Sequence, residues 1–147
     1  MLKAMVAIGL ALGLAAPAAA QEFTVEVARI GALTGPDAPV DMKAPDIFGT
    51  DIGTMAEIGG RILMAFGDTF GWNERSCIRF GPNWRSNVLA FTDDIGPSDG
   101  VAIDSWYVGD DGEAKAVAEG VHQDAFKGEQ TRIPTAMVTV GDTVYLH

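Results

Sequence analysis

The chain has 147 residues, ten of them basic and twenty acidic, for a formal charge of −10. That balance repels phosphate, so nucleic acid and anionic membrane surfaces are poor partners, and neutral or cationic ligands fit better. The one cysteine, Cys77, leaves no internal disulfide and no Cys-x-x-Cys metal site, and it reads as a small sheltered residue.

In chain order, the first twenty residues have the pattern of a secretory signal. Lys3 supplies the positive start, residues 4–14 the apolar core, and Ala18-Ala19-Ala20 an Ala-x-Ala cleavage site before Gln21. The apolar run is too short to span a bilayer, which takes about 20 residues. The residue at the cleavage point is Gln21 and not a cysteine, so no lipid anchor is expected. The predicted destination is the periplasm or the cell exterior. Residues 21–46 form an N-terminal strand and loop in this reading. Residues 23–30 alternate apolar and polar, as a strand does, and residues 34–45 are rich in Pro, Gly and Asp, as a loop is.

Two β-type runs follow, residues 52–58 and 61–67, joined by Gly59-Gly60. A Gly-Gly pair between such runs signals a two-residue hairpin, because both central residues take φ > 0 at little cost. That loop places Ile58 opposite Arg61. The same register carried outward places Asp51 opposite Asp68, on one face of the sheet and about 4.5–5.5 Å apart at Cβ. Two readings are open here. Facing like charges repel, and a fold that keeps them has a use for them; alternatively both are turn aspartates that satisfy local backbone N–H groups.

Beyond the hairpin, residues 70–82 are irregular, and residues 84–92 enter a third strand closed by Asp93-Asp94 and Gly96-Pro97. Residues 101–108 form a further strand, Gly109-Asp110-Asp111-Gly112 a turn, and residues 114–118 its return. The turn lacks the ligand spacing of a calcium loop. Residues 121–132 are a polar connection, in which His122 reads as a loop histidine. With no sustained 3.6-residue apolar period after the signal, the chain is predicted to be all-β.

One hairpin recurs. Residues 53–64 align with residues 135–146 at a constant offset, each copy being strand, Gly-containing two-residue turn, strand. Repetition of a hairpin after several short strands is the sequence pattern of a β-propeller, and a sandwich has no reason to repeat its turn. Blades of roughly 40–50 residues would leave fewer than two in this chain. A final β-run that stops at His147 without a polar tail reads as an N-terminal fragment of a longer product.

Gly49-Thr50-Asp51-Ile52-Gly53-Thr54, Phe66-Gly67-Asp68-Thr69-Phe70-Gly71, Trp84-Arg85-Ser86-Asn87 and Ile133-Pro134-Thr135 occur in this order. Over residues 47–147 they resemble the N-terminal part of a bacterial family long catalogued as a domain of unknown function, some members of which are endo-D-arabinanases. The resemblance implies a five-bladed β-propeller glycoside hydrolase acting on D-arabinofuranose chains, with Asp51 and Asp68 as its catalytic pair. Opposition across one hairpin gives the short carboxyl spacing of a retaining mechanism, with Asp51 as nucleophile and Asp68 as acid/base. Trp72, Trp84, Trp106, Tyr107 and Phe70 are candidate sugar-stacking surfaces, against the commoner use of aromatics as core. Asn87 and Arg85 are candidate donors to sugar hydroxyls, against a backbone-capping role. The expected partner is a polysaccharide, with no cofactor and no metal. A non-catalytic carbohydrate-binding propeller and a structural cell-surface module are the competing readings.

Overall fold

The computed structural model describes residues 24–51, 53–73, 81–96, 98–123 and 127–147. The signal-like segment and Cys77 lie outside the described residues. All regular structure among those residues is β: eight strands in three antiparallel sheets.

The predicted hairpin is present. Strand β2 (Gly53–Ile58) pairs with β3 (Arg61–Phe66), with Ile58 opposite Arg61 and Gly53 opposite Phe66. Gly59 and Gly60 have φ of 60° and 79°, the double left-handed turn that matches the twist of the flanking strands. Strand β3 then pairs with β5 (Val88–Thr92), and β5 with β6 (Ser105–Trp106). The result is a four-stranded antiparallel meander in chain order, β2-β3-β5-β6. Strand β3 (Arg-Ile-Leu-Met-Ala-Phe) is buried over its last four residues, as suits an apolar strand flanked on both sides. On one face Met64, Phe66, Val88 and Ala90 pack with Met42, Ile47 and Ile103 to form the core. Trp106 closes that core against Phe66, with ring centroids 5.6 Å apart.

The hairpin ladder runs past its first two strands. Strands β1 (Gly49–Thr50) and β4 (Thr69–Phe70) pair in the register that β2 and β3 use. Between the two ladders the regular pairing breaks, and Asp51, Gly67 and Asp68 stand at the break. Thr69 holds the outer part by exchanging two 2.8 Å backbone hydrogen bonds with Arg85.

The second hairpin, β7 (Met137–Val140) and β8 (Thr143–Leu146), turns at Gly141, whose φ is 59°. It lies against β2, and the Thr139 hydroxyl donates to the Glu57 carbonyl, its equivalent in the repeat. The copies bury opposite faces. In β2 the half-buried residues are Thr54, Ala56 and Ile58, whereas in β7 they are Met137 and Thr139. Val138 and Val140, which correspond to Ala56 and Ile58, are 57% and 62% exposed.

Three expected strands differ. Residues 24–33 form no strand, and Val25 and Val27 are 78% and 89% exposed. Alternation makes a strand only where a neighbour takes the backbone N–H and C=O groups, and no described strand lies beside this segment. The third strand begins at Val88, because Arg85 and Asn87 turn inward to bond backbone carbonyls. The stretch 101–108 is reduced to Ser105–Trp106, with an isolated bridge from Val108 to Ala114 across the 109–112 turn.

Candidate functional site

The break in the long hairpin brings the two aspartates together. The Asp51 N–H donates to the Asp68 carbonyl at 3.2 Å, and the Gly67 N–H donates to the Asp51 carbonyl at 2.9 Å. Glycine at 67 is required by close approach. A Cβ there would lie 2.5 Å from Asp51 Oδ1 and 2.8 Å from Ile133 Cγ2. The Asp51 carboxyl therefore rests over the backbone of the strand that carries Asp68. Partial desolvation, and then the charge of Asp68, push the Asp51 pKa above the usual carboxylate value; the Asp68 backbone N–H acts in the opposite direction.

The Asp68 carboxylate has different surroundings. Its Oδ1 accepts the indole N–H of Trp84 at 2.8 Å and also the hydroxyl of Thr131. Trp84 packs against Phe70, with centroids 5.8 Å apart and planes at 29°, and against His122, with centroids 4.1 Å apart. His122 adopts φ of 49°, and its Nδ1 lies 3.1 Å from the Gln130 carbonyl. Nothing in the local sequence marks Thr131 as a partner of Asp68. It sits 63 positions from Asp68 in a stretch of ordinary polar connection.

The other sequence candidates fall away from the pair or into structural duty. Asn87 is buried: its Nδ2 donates to the carbonyls of Ala118 and Arg132, and its Oδ1 accepts from the N–H groups of Val117 and Ala118. Both amide hydrogens are used, leaving none for a sugar. Arg85 is buried as well, donating to the Ala114 and Asp46 carbonyls, with Asp46 Oδ2 at 3.7 Å. Burial lowers its pKa, and the charges of Asp46 and Glu113 work against that shift. Trp72 packs edge-on against Phe48, 5.6 Å between centroids, and leans on the core beneath Lys43. Phe70 and Trp84 are the two aromatic candidates that the structure brings to Asp68. Tyr107 is exposed beneath the Lys115 ammonium.

A cleft of about 710 Å³ lies between residues 28–33 and 99–102, lined in part by Asp37 and Asp94. Neither Asp51 nor Asp68 lines it. Among the described residues, no group of three His, Cys, Asp or Glu side chains could hold a metal ion, and no helix is long and apolar enough to cross a membrane.

Comparison with known proteins gives one family. A model described as a domain of unknown function, DUF4185, matches residues 39–147. No curated protein matches the chain.

Proposed function

The chain belongs to the DUF4185 family, and on that footing we propose that it is a secreted β-propeller glycoside hydrolase acting on D-arabinan-like polysaccharide. The observation that carries the reading is the opposed pair Asp51 and Asp68 at the break of one hairpin, the first with its pKa raised by partial desolvation and by the second. A four-stranded meander followed by the first hairpin of a repeat supports the propeller, as one blade and the start of the next. The five-blade count comes from the resemblance. The signal-like first twenty residues support export.

The electrostatics favours the reverse of the division of roles read from the sequence. Asp51, which holds its proton more tightly than an ordinary carboxyl, is the general acid. Asp68, held as an acceptor by Trp84 and Thr131, is the nucleophile. In the first step an Asp68 oxygen bonds to the anomeric carbon as the glycosidic C–O bond breaks, and Asp51 gives its proton to the departing oxygen. In the second, Asp51 takes a proton from water, whose oxygen replaces Asp68 at that carbon. The configuration is retained.

The test is incubation of the protein with mycobacterial arabinogalactan and plant arabinans, beside Asp51→Asn and Asp68→Asn. Released D-arabinan oligosaccharides, absent with both variants and of retained configuration by NMR, are the expected result. Products of inverted configuration would sink the retaining mechanism. The second reading, a carbohydrate-binding propeller, is favoured by the two donors already on Asp68 Oδ1, an arrangement that also suits a structural aspartate. It predicts glycan binding with no product from any substrate.

A further inference from the structure

We propose that Thr131 and Trp84 are positioning residues that orient the Asp68 carboxylate, an inference that rests on the hydrolase reading above. Both donors converge on Oδ1, and among the described residues Oδ2 has no hydrogen-bond partner. A carboxylate gripped by two donors at one oxygen does not swivel about its Cβ–Cγ bond. Oδ2 is therefore the atom presented to the anomeric carbon. Fixing the attacking atom before substrate arrives is worth a large factor, since a displacement of about 1 Å can cost 10²-fold in rate.

The two donors come from distant parts of the chain, yet they are tied into one unit. The Val121 N–H donates to the Glu129 carboxylate and the Gln123 N–H to the Glu129 carbonyl, at 3.1 and 3.0 Å. His122 Nδ1 meets the Gln130 carbonyl. These contacts clasp residues 121–123 to residues 129–130, and Thr131 follows directly. The clasp reaches Trp84 through the His122 ring, 4.1 Å away. It is anchored to the meander by the buried amide of Asn87, which donates to the Arg132 carbonyl at 2.9 Å. So Asn87 serves the site indirectly, by delivering the segment that carries Thr131.

The experiment compares Thr131→Val, Thr131→Ser and Trp84→Phe, each in the whole protein. Thr131→Val should lower kcat about 10- to 100-fold with KM little changed, and Thr131→Ser should restore most of that loss. Trp84→Phe keeps a ring against Phe70 and His122 but removes the donor, and should lower kcat in the same way. In parallel, the Trp84 indole N–H is followed by ¹H–¹⁵N NMR, its signal assigned as the one lost in Trp84→Phe. That signal should shift in Thr131→Val and return toward the wild-type position in Thr131→Ser. An unchanged kcat in Thr131→Val overturns the proposal, as does an unmoved indole signal. If the wild-type protein releases no product, it is the hydrolase reading that fails, and the indole signal alone then decides whether the two donors are linked through Asp68.

Discussion

The polar cluster around Arg85 and the one around Asp68 are neighbours, joined by the backbone pairing of Thr69 with Arg85, but their charges are arranged in opposite ways. In the first, a buried guanidinium faces Asp46, which in turn accepts the Trp72 N–H and the Asn83 amide at 2.7 Å each. Opposite charges and fixed carbonyls surround the cation, and the outcome is a staple between the 46–48 region and the 113–114 region. In the second, two groups of the same sign meet at the open break of a ladder, and one of them is forced toward its neutral form. Matched charge with near-complete hydrogen bonding makes structure, while mismatched charge at a strand break is the arrangement on which the proposed chemistry rests.

Substitution tests that contrast directly. The largest expected effect is on turnover: Asp51→Asn and Asp68→Asn should each lower it by about 10²–10⁴-fold, with melting temperatures at or above wild type. Arg85→Met should do the reverse, costing about 3 kcal/mol in urea unfolding by stranding Asp46 and two carbonyls. Asn87→Ala should cost about 2–3 kcal/mol by leaving buried backbone groups unpaired, measured in the same way. Gly67→Ala belongs to both clusters in kind. Its new methyl must displace the Asp51 carboxyl or Ile133, so about 1–3 kcal/mol of stability should be lost together with activity.

The smallest effect is in the pH dependence. A carboxyl whose folded pKa lies above its unfolded value binds its proton more tightly in the native state. Stability therefore falls as pH rises through the window between the two values. The melting temperature of Asp51→Asn relative to wild type should therefore rise as pH increases through that window, whatever the remaining carboxyls contribute to both proteins.

Much of the strand frame was legible from local chemistry. Gly59-Gly60 determines the turn, the turn determines the register, and the register carried outward reaches Asp51 and Asp68. The second hairpin was legible because its pattern repeats the first. What local chemistry does not encode is whether a neighbour exists. Residues 24–33 alternate correctly and find no strand partner among the described residues, whereas Asn87 and Arg85 look like ligand donors and are buried in hydrogen bonds to backbone carbonyls inside the fold. Thr131 was invisible for the same reason: nothing in a polar stretch marks which hydroxyl will return to an aspartate 63 residues earlier.

The opposed burial of the two hairpins gives the molecule a direction. The first hairpin keeps its Thr54, Ala56 and Ile58 face half-buried, and the second repeats that face as exposed Val138 and Val140, with Tyr145 where the first has Leu63. Leu63 is 6% exposed and Tyr145 57%. At the other end Met55 is bare. A series of units joined in this way has a leading surface and a trailing surface that differ, as the two ends of an actin filament differ. Such a series is complete only when its ends meet in a closed circle or when a dissimilar cap covers each end. The valine-tyrosine face is thus the exposed counterpart, on the second hairpin, of the face that the first hairpin keeps half-buried.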